Sequence, residues 1–118
     1  DGAASNNALD MRAEMKAASL IQRHDHWDAT ILDPVQSYEL GARGSTDWVA
    51  WDLNDIRMRP IGRDGRRLLA NLIYSHGNCL DMWVDGKPLR RDGQTLTLDE
   101  SDVRLELEGA IQSYYSDV

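Results

Sequence analysis

From Ala8 to Arg23 the chain runs without Gly or Pro and with a single β-branched residue, Ile21, among many strong helix formers. This predicts a long helix over 7–23 capped by Asn6 or Asn7, after a small, polar, frayed terminus over 1–6. Arg12, Lys16, Ser19 and Arg23, spaced four, three and four, fall in one narrow polar stripe. Ala8, Met11, Met15 and Ala18 flank the stripe on one side, and Leu9, Ala13, Ala17 and Leu20 on the other. The expected helix is therefore wet along its basic stripe and buried on two flanks, unless its alanines simply tolerate exposure. Trp27, Ala29 and Ile31 then alternate with Asp28, Thr30 and Leu32, which predicts a short strand. Asp33 before Pro34, with Gln36 three residues on, has capping-box spacing. A short helix from Pro34 to Ala42 follows, ended by Gly41 and Gly44, although Val35 to Leu40 also fits an extended segment.

Beyond Asp47 the period becomes two. Val49, Trp51 and Leu53 share one face of a first strand, and the phase slips at Asn54-Asp55 before Ile56 and Met58 continue it. Three Asp-Gly pairs, Asp64-Gly65, Asp85-Gly86 and Asp92-Gly93, have the composition of tight type I′ hairpins, which need positive φ at both central residues. Between the first two pairs lie Arg66–Tyr74, apolar on both faces as a central strand would be, and Cys79–Val84 after a turn at Gly77-Asn78. Lys87–Arg91, Thr95–Leu98 and a run from Val103 to Tyr115 continue the alternation; a helix could match the last only by exposing Leu105. The sum is an α+β fold: an antiparallel meander sheet of five or six strands over 46–115, packed against a long N-terminal helix and one short helix in a single domain of 118 residues.

Charge adds one feature. Net charge is −7, divided as −6 over residues 1–55, +5 over 56–91 and −6 over 92–118. A basic middle in an acidic protein can form a patch for an anionic partner, or be neutralised by the acidic ends folding over it. No apolar run is long enough to span a bilayer, so no membrane role is expected. A lone cysteine, Cys79, cannot form an internal disulfide, which favours the cytoplasm; a first residue that is Asp leaves room for a removed leader.

Candidate chemistry is diffuse. His24 and His26, two apart on an extended segment, would project to one face, and His76 and Cys79 could complete a metal site or supply an acid–base group. Arg57, Arg59, Arg66 and Arg67 could present guanidiniums on one hairpin surface to phosphates or nucleic acid. Four tryptophans and no phenylalanine suit a contact surface if any, such as Trp48, is exposed. No phosphate loop, triad order or paired-cysteine motif is present, and no cofactor is expected.

These features favour a small non-enzymatic binding or assembly module of bacterial or phage type. It would contact a protein partner or itself through Arg12, Lys16, Arg23, Arg57, Arg59, Arg66, Arg67 and Trp48. A nucleic-acid-binding role for the Arg57–Arg67 patch is a weaker alternative. The rival from another class is a small enzyme. A helix leading through a Trp-Asp element into strands is similar in order to the cone-shaped nuclear-transport-factor-like and polyketide-cyclase-like proteins. That resemblance implies a pocket between sheet and helices, with His24, His26 or His76 as general base near an aspartate.

Overall fold

The computed structural model describes residues 9–42, 44 and 46–116. The expected frayed terminus and the Asn6 or Asn7 cap lie outside these residues. Helix α1 spans Met11–His26 and is capped by Asp10, whose side chain accepts from the Arg12 amide. It ends at Trp27, which takes a left-handed conformation.

The strand expected over 27–32 is a run of turns. Asp28 accepts from both the amide and the hydroxyl of Thr30, and Leu32 has φ 49°, so local side-chain bonds replace a ladder. Helix α2, Pro34–Ala42, forms where its capping box predicts. Asp33 Oδ1 accepts from the Val35 and Gln36 amides, and Gln36 Oε1 accepts from the Asp33 amide at 2.9 Å.

The class is α+β, with four α-helices and a four-stranded antiparallel sheet among the described residues. The strands are β1, Trp48–Trp51; β2, Cys79–Val84; β3, Lys87–Arg91; and β4, Gln94–Thr95, in the spatial order β1-β2-β3-β4. Two of the three Asp-Gly pairs make the expected hairpins, with φ 49° and 72° at Asp85-Gly86 and 48° and 78° at Asp92-Gly93.

The strand count is lower than expected because two predicted strands are helices. Helix α3, Arg66–Ser75, replaces the supposed central strand, and Asp64-Gly65 is its entry, with Asp64 Oδ1 accepting from the Arg66 amide. Leu68, Leu69, Leu72 and Ile73 follow helical spacing, and the last two are buried. Helix α4, Glu100–Ser116, replaces the strand from Val103. Asp99 caps it through the Ser101 and Asp102 amides, and it leaves Leu105 exposed, the cost that had argued against a helix. After β1 the predicted second half of the first strand is instead a 3-10 turn, Ile56–Met58, capped by Asp55.

Two compact units result. Among the described residues, the first comprises 9–42, 44 and 52–78, and the second 46–51 and 79–116. In the first, α1 packs on α2 and α3, α2 on α3, and α3 on the 3-10 turn. Its centre is Met15, Met58, Leu72 and Ile73, with two buried serines, Ser19 and Ser37. The second is the sheet with α4 following it. Trp48 and Trp83 are register partners across β1 and β2 and stack with ring centroids 5.2 Å apart. No helix among the described residues is long and apolar enough to cross a membrane.

Candidate functional site

The polar stripe of α1 faces inward. Lys16 Nζ donates to the Tyr74 carbonyl at 3.0 Å, and Arg12 Nη1 to the Gly77 carbonyl at 2.9 Å. Both cations thus sit at the carboxyl end of α3, where the helix leaves acceptors unpaired and its dipole favours positive charge. Ser19 Oγ, fully buried, bonds the Leu32 carbonyl at 2.8 Å and the Tyr74 hydroxyl at 2.7 Å. Arg23 donates to the Ile31 and Leu32 carbonyls and lies 5.8 Å from the centroid of the Tyr74 ring. The four residues expected to form a wet polar stripe, with Arg12, Lys16 and Arg23 as its binding residues, therefore tie α1 to α3 and to the turns before α2. The physical reason is acceptor supply, since those carbonyls have no helical partner and α1 brings long donors within reach, with Ser37 of α2 adding a second hydroxyl at the Leu32 carbonyl.

Asp10 completes this network. Its carboxylate accepts from Arg12 Nε and Nη2, at 3.0 and 2.9 Å, and these bonds hold it below its ordinary pKa. His76 Nδ1 lies 4.0 Å from the same carboxylate, and His76 Nε2 is buried with no partner among the described residues. His26 Nδ1 is likewise 3.7 Å from Asp25 Oδ2, at an exposed site, whereas the aspartate beside His76 is already engaged by Arg12.

The hairpin arginines do not converge. Arg57 donates to Asp55, at 2.6 Å through Nη2, and to Asn78 Oδ1; the Asp55 carboxyl is held far below its usual range, first by the Arg57 side chain. Arg66 pairs with Asp33 at 3.0 Å, while Arg59 and Arg67 are exposed. Trp48 is half exposed and stacked on Trp83, whose other neighbour is the Arg91 guanidinium, 5.7 Å from its ring centroid.

The proposed metal ligands are also dispersed. His24 and His26 sit in the last turn of α1 rather than on a strand, so two residues of spacing turns them to different sides. His24 lies against Trp27, and His26 Nδ1 is 3.0 Å from the Gln22 carbonyl. Cys79 opens β2 in the second unit, with Sγ 3.5 Å from the Asp81 carbonyl. Among the described residues no three His, Cys, Asp or Glu side chains gather to hold a metal ion.

What the pattern did not reveal is a groove between α1 and α2. It encloses about 700 Å³ and is lined by Ala18, Gln22, Ile31, Leu32, Gln36 and Leu40. Ala18, Leu32 and Leu40 are shared with a smaller hollow of about 170 Å³ that reaches Met11 and Met15. Gly41 permits the close approach of the two helices, because a Cβ there would stand 2.6 Å from Met15 Sδ. Small residues at Ala18 and Gly41 were the available signal.

No protein-family model matches the chain. It is 29% identical over 122 aligned residues to a protein of Bacillus cytotoxicus named 5-methylthioadenosine/S-adenosylhomocysteine deaminase, covering 90% of this chain and 28% of that protein. A protein of Desulforudis audaxviator with the same name is 32% identical, with 92% of this chain and 29% of the relative covered. Among solved structures, an adenosine deaminase from Xanthomonas campestris with bound zinc superposes with a TM-score of 0.80 at 26% identity, over 98% of this chain and 30% of that one. The chain thus spans less than a third of the length of these proteins. The expectation of a non-enzymatic binding or assembly module is overturned by these relatives, which are named as enzymes. The geometry concurs in one respect, since Arg12, Lys16, Arg23, Arg57 and Arg66 all have partners within the first unit.

Proposed function

We propose that this chain is a scaffold portion of a deaminase that acts on an adenosine-type substrate, of the 5′-methylthioadenosine or S-adenosylhomocysteine kind. The observation that carries the reading is the match of nine-tenths or more of the chain, in sequence to proteins named 5-methylthioadenosine/S-adenosylhomocysteine deaminase and in backbone to an adenosine deaminase. Hydrolytic deamination replaces the amino group on the purine ring with an oxygen from water and releases ammonia. It needs an activated water and a proton donor for the leaving amine.

A zinc ion accompanies the solved neighbour, but the residues here do not fit one. His24 and His26 are exposed on a helix end, His76 stands by an aspartate held by Arg12, and Cys79 lies in the other unit. No step through a metal is assigned to this chain. Its own residues supply a framework, in which the α1 cations and Ser19 lock three helices and the intervening turns together. The enzymatic alternative drawn from sequence agrees in class with this reading, and of its candidate general bases His76 lies 4.0 Å from the Asp10 carboxylate and His26 3.7 Å from that of Asp25. A cytoplasmic location is part of the proposal, in keeping with relatives named as deaminases.

The test is a chimera in which this chain replaces the aligned segment of the Bacillus cytotoxicus protein. Ammonia release from 5′-methylthioadenosine by the chimera, and none by the 118-residue chain alone, is the expected result. A folded, zinc-loaded chimera that releases no ammonia from 5′-methylthioadenosine, S-adenosylhomocysteine or adenosine refutes the reading.

A further inference from the structure

The arginines from Arg57 to Arg67 do not form one surface as a set, because carboxylates are shared unevenly among them. Arg57 is engaged by Asp55 and Arg66 by Asp33. Arg59, Arg63 and Arg67 are exposed, and none has an ion pair or a side-chain hydrogen bond among the described residues. The backbone gathers these three around one side of α3. Asn71 Nδ2 donates to the carbonyls of Met58 and Pro60, at 3.0 Å each, which fixes Arg59 between two anchored groups. Arg67 lies one turn before Asn71 and so on the same side of the helix. Gly62 closes on Arg67, since a Cβ at Gly62 would stand 3.2 Å from Arg67 Cβ, and Arg63 follows directly in the chain. The one carboxylate in this loop, Asp64, accepts from the Arg66 amide.

That placement opposes the local electrostatics. Arg66 and Arg67 open α3, whose first turn holds no acid, although the dipole at a helix start favours negative charge. Residues that break a local rule without a gain in packing mark a functional demand. We infer that Arg59, Arg63 and Arg67 hold a short phosphate chain, that of a nucleotide or of inorganic polyphosphate. The guanidinium fork matches phosphoryl oxygens, and three such groups beside one carboxylate call for several negative charges within a short span. Nucleic acid is the poorer occupant, because residues 56–73 contain no aromatic ring on which a base could stack and the net charge of −7 repels a long polyanion. The inference goes beyond the deaminase reading and does not rest on it.

Calorimetric titration of the 118-residue chain with inorganic tripolyphosphate tests the site. The expected result is saturable binding that weakens as salt rises, with affinity reduced about ten-fold by Arg67→Gln and as much again by adding Arg59→Gln. Neither side chain makes a bond that the fold needs, so both variants should keep the wild-type circular dichroism. Arg104→Gln, which removes an exposed cation from α4, should leave the affinity unchanged. ATP separates the two sources: affinity equal to that of tripolyphosphate identifies the phosphate chain as the whole ligand, tighter binding identifies a nucleotide, and both support the site. Absence of saturable binding below about 1 mM overturns the inference. So do equal losses in the Arg104 and Arg67 variants, or tighter binding of citrate or of a DNA duplex than of tripolyphosphate. Should the chain alone not fold, the same titrations of the chimera with the Bacillus cytotoxicus protein decide the matter by the same outcomes.

Discussion

Two glycines in the helical unit meet methionines at nearly the same distance, yet alanine at the two sites should have different effects. A Cβ at Gly77 would stand 2.5 Å from Met58 Sδ and 2.6 Å from its Cγ; at Gly41 the values to Met15 are 2.6 and 2.7 Å. Met58 is 1% exposed and packed beneath α3, so its thioether has nowhere to go, and overpacking of this kind costs roughly 1–3 kcal/mol. Met15 borders the open hollow between α1 and α2, into which its side chain can swing. Gly41 also lies within α2, where alanine recovers up to about 1 kcal/mol of helix propensity, a gain that the non-helical Gly77 lacks. Gly77→Ala should therefore destabilise the unit by about 2 kcal/mol and Gly41→Ala should lie within about 1 kcal/mol of wild type. Urea titration combined with hydrogen exchange of the α3 amides reads this unit specifically. For a slope of about 1–3 kcal/mol per molar urea, the Gly77 variant should unfold near 1 M earlier. A Gly77→Ala chain as stable as wild type, or a Gly41→Ala chain destabilised as much as the Gly77 variant, would refute the packing argument.

Asp10→Asn keeps the cap of α1, because asparagine caps as well as aspartate, and removes the charge that engages Arg12. The Asp10 carboxyl has a lowered pKa in the folded chain, so its contribution is fully present above its unfolded value and is lost as pH falls through the folded one. The variant should be less stable than wild type at neutral pH, with the gap closing below about pH 4; acid titrations giving a constant gap would contradict this. Asp33→Ala removes the acceptor of the Val35 and Gln36 amides and should cost about 1 kcal/mol, seen as faster exchange at the start of α2. Arg66→Ala, which loses only the exposed ion pair to Asp33, should cost less, and the reverse order in parallel exchange experiments would show that the cap is not what matters.

The parts of the fold legible in the sequence are those fixed by local chemistry. The α2 capping box and the hairpins at Asp85-Gly86 and Asp92-Gly93 depend on a few adjacent residues, and all three form as read. Asp64-Gly65 has the same composition and instead starts a helix, because Arg66–Ser75 carries adjacent aliphatic pairs four apart, Leu68-Leu69 and Leu72-Ile73, a spacing that serves a helix face and also reads as a strand apolar on both sides. The run from Val103 failed for a related reason. Val103, Leu107, Ile111 and Tyr114 form one helical stripe, and only the assumption that Leu105 must be buried selected the strand. For the candidate site the residue list overlapped the network, through Arg12, Lys16, Arg23 and His76, but the assigned direction of the α1 residues was reversed.

That reversal has a general cause. Periodicity identifies the faces of a helix but not which of them meets the protein, and the usual assumption that the apolar flank turns inward holds when apolar area is what neighbouring elements offer. Around α1 the neighbours offer carbonyls instead, those of Tyr74 and Gly77 at the end of α3 and of Ile31 and Leu32 in the turns. Leaving such acceptors buried and unpaired costs about 1–3 kcal/mol each, whereas hydrogen bonds to charged donors contribute roughly 1.5–3 kcal/mol. Turning Arg12, Lys16, Ser19 and Arg23 inward meets that demand and places Leu9, Met11 and Leu20 outside.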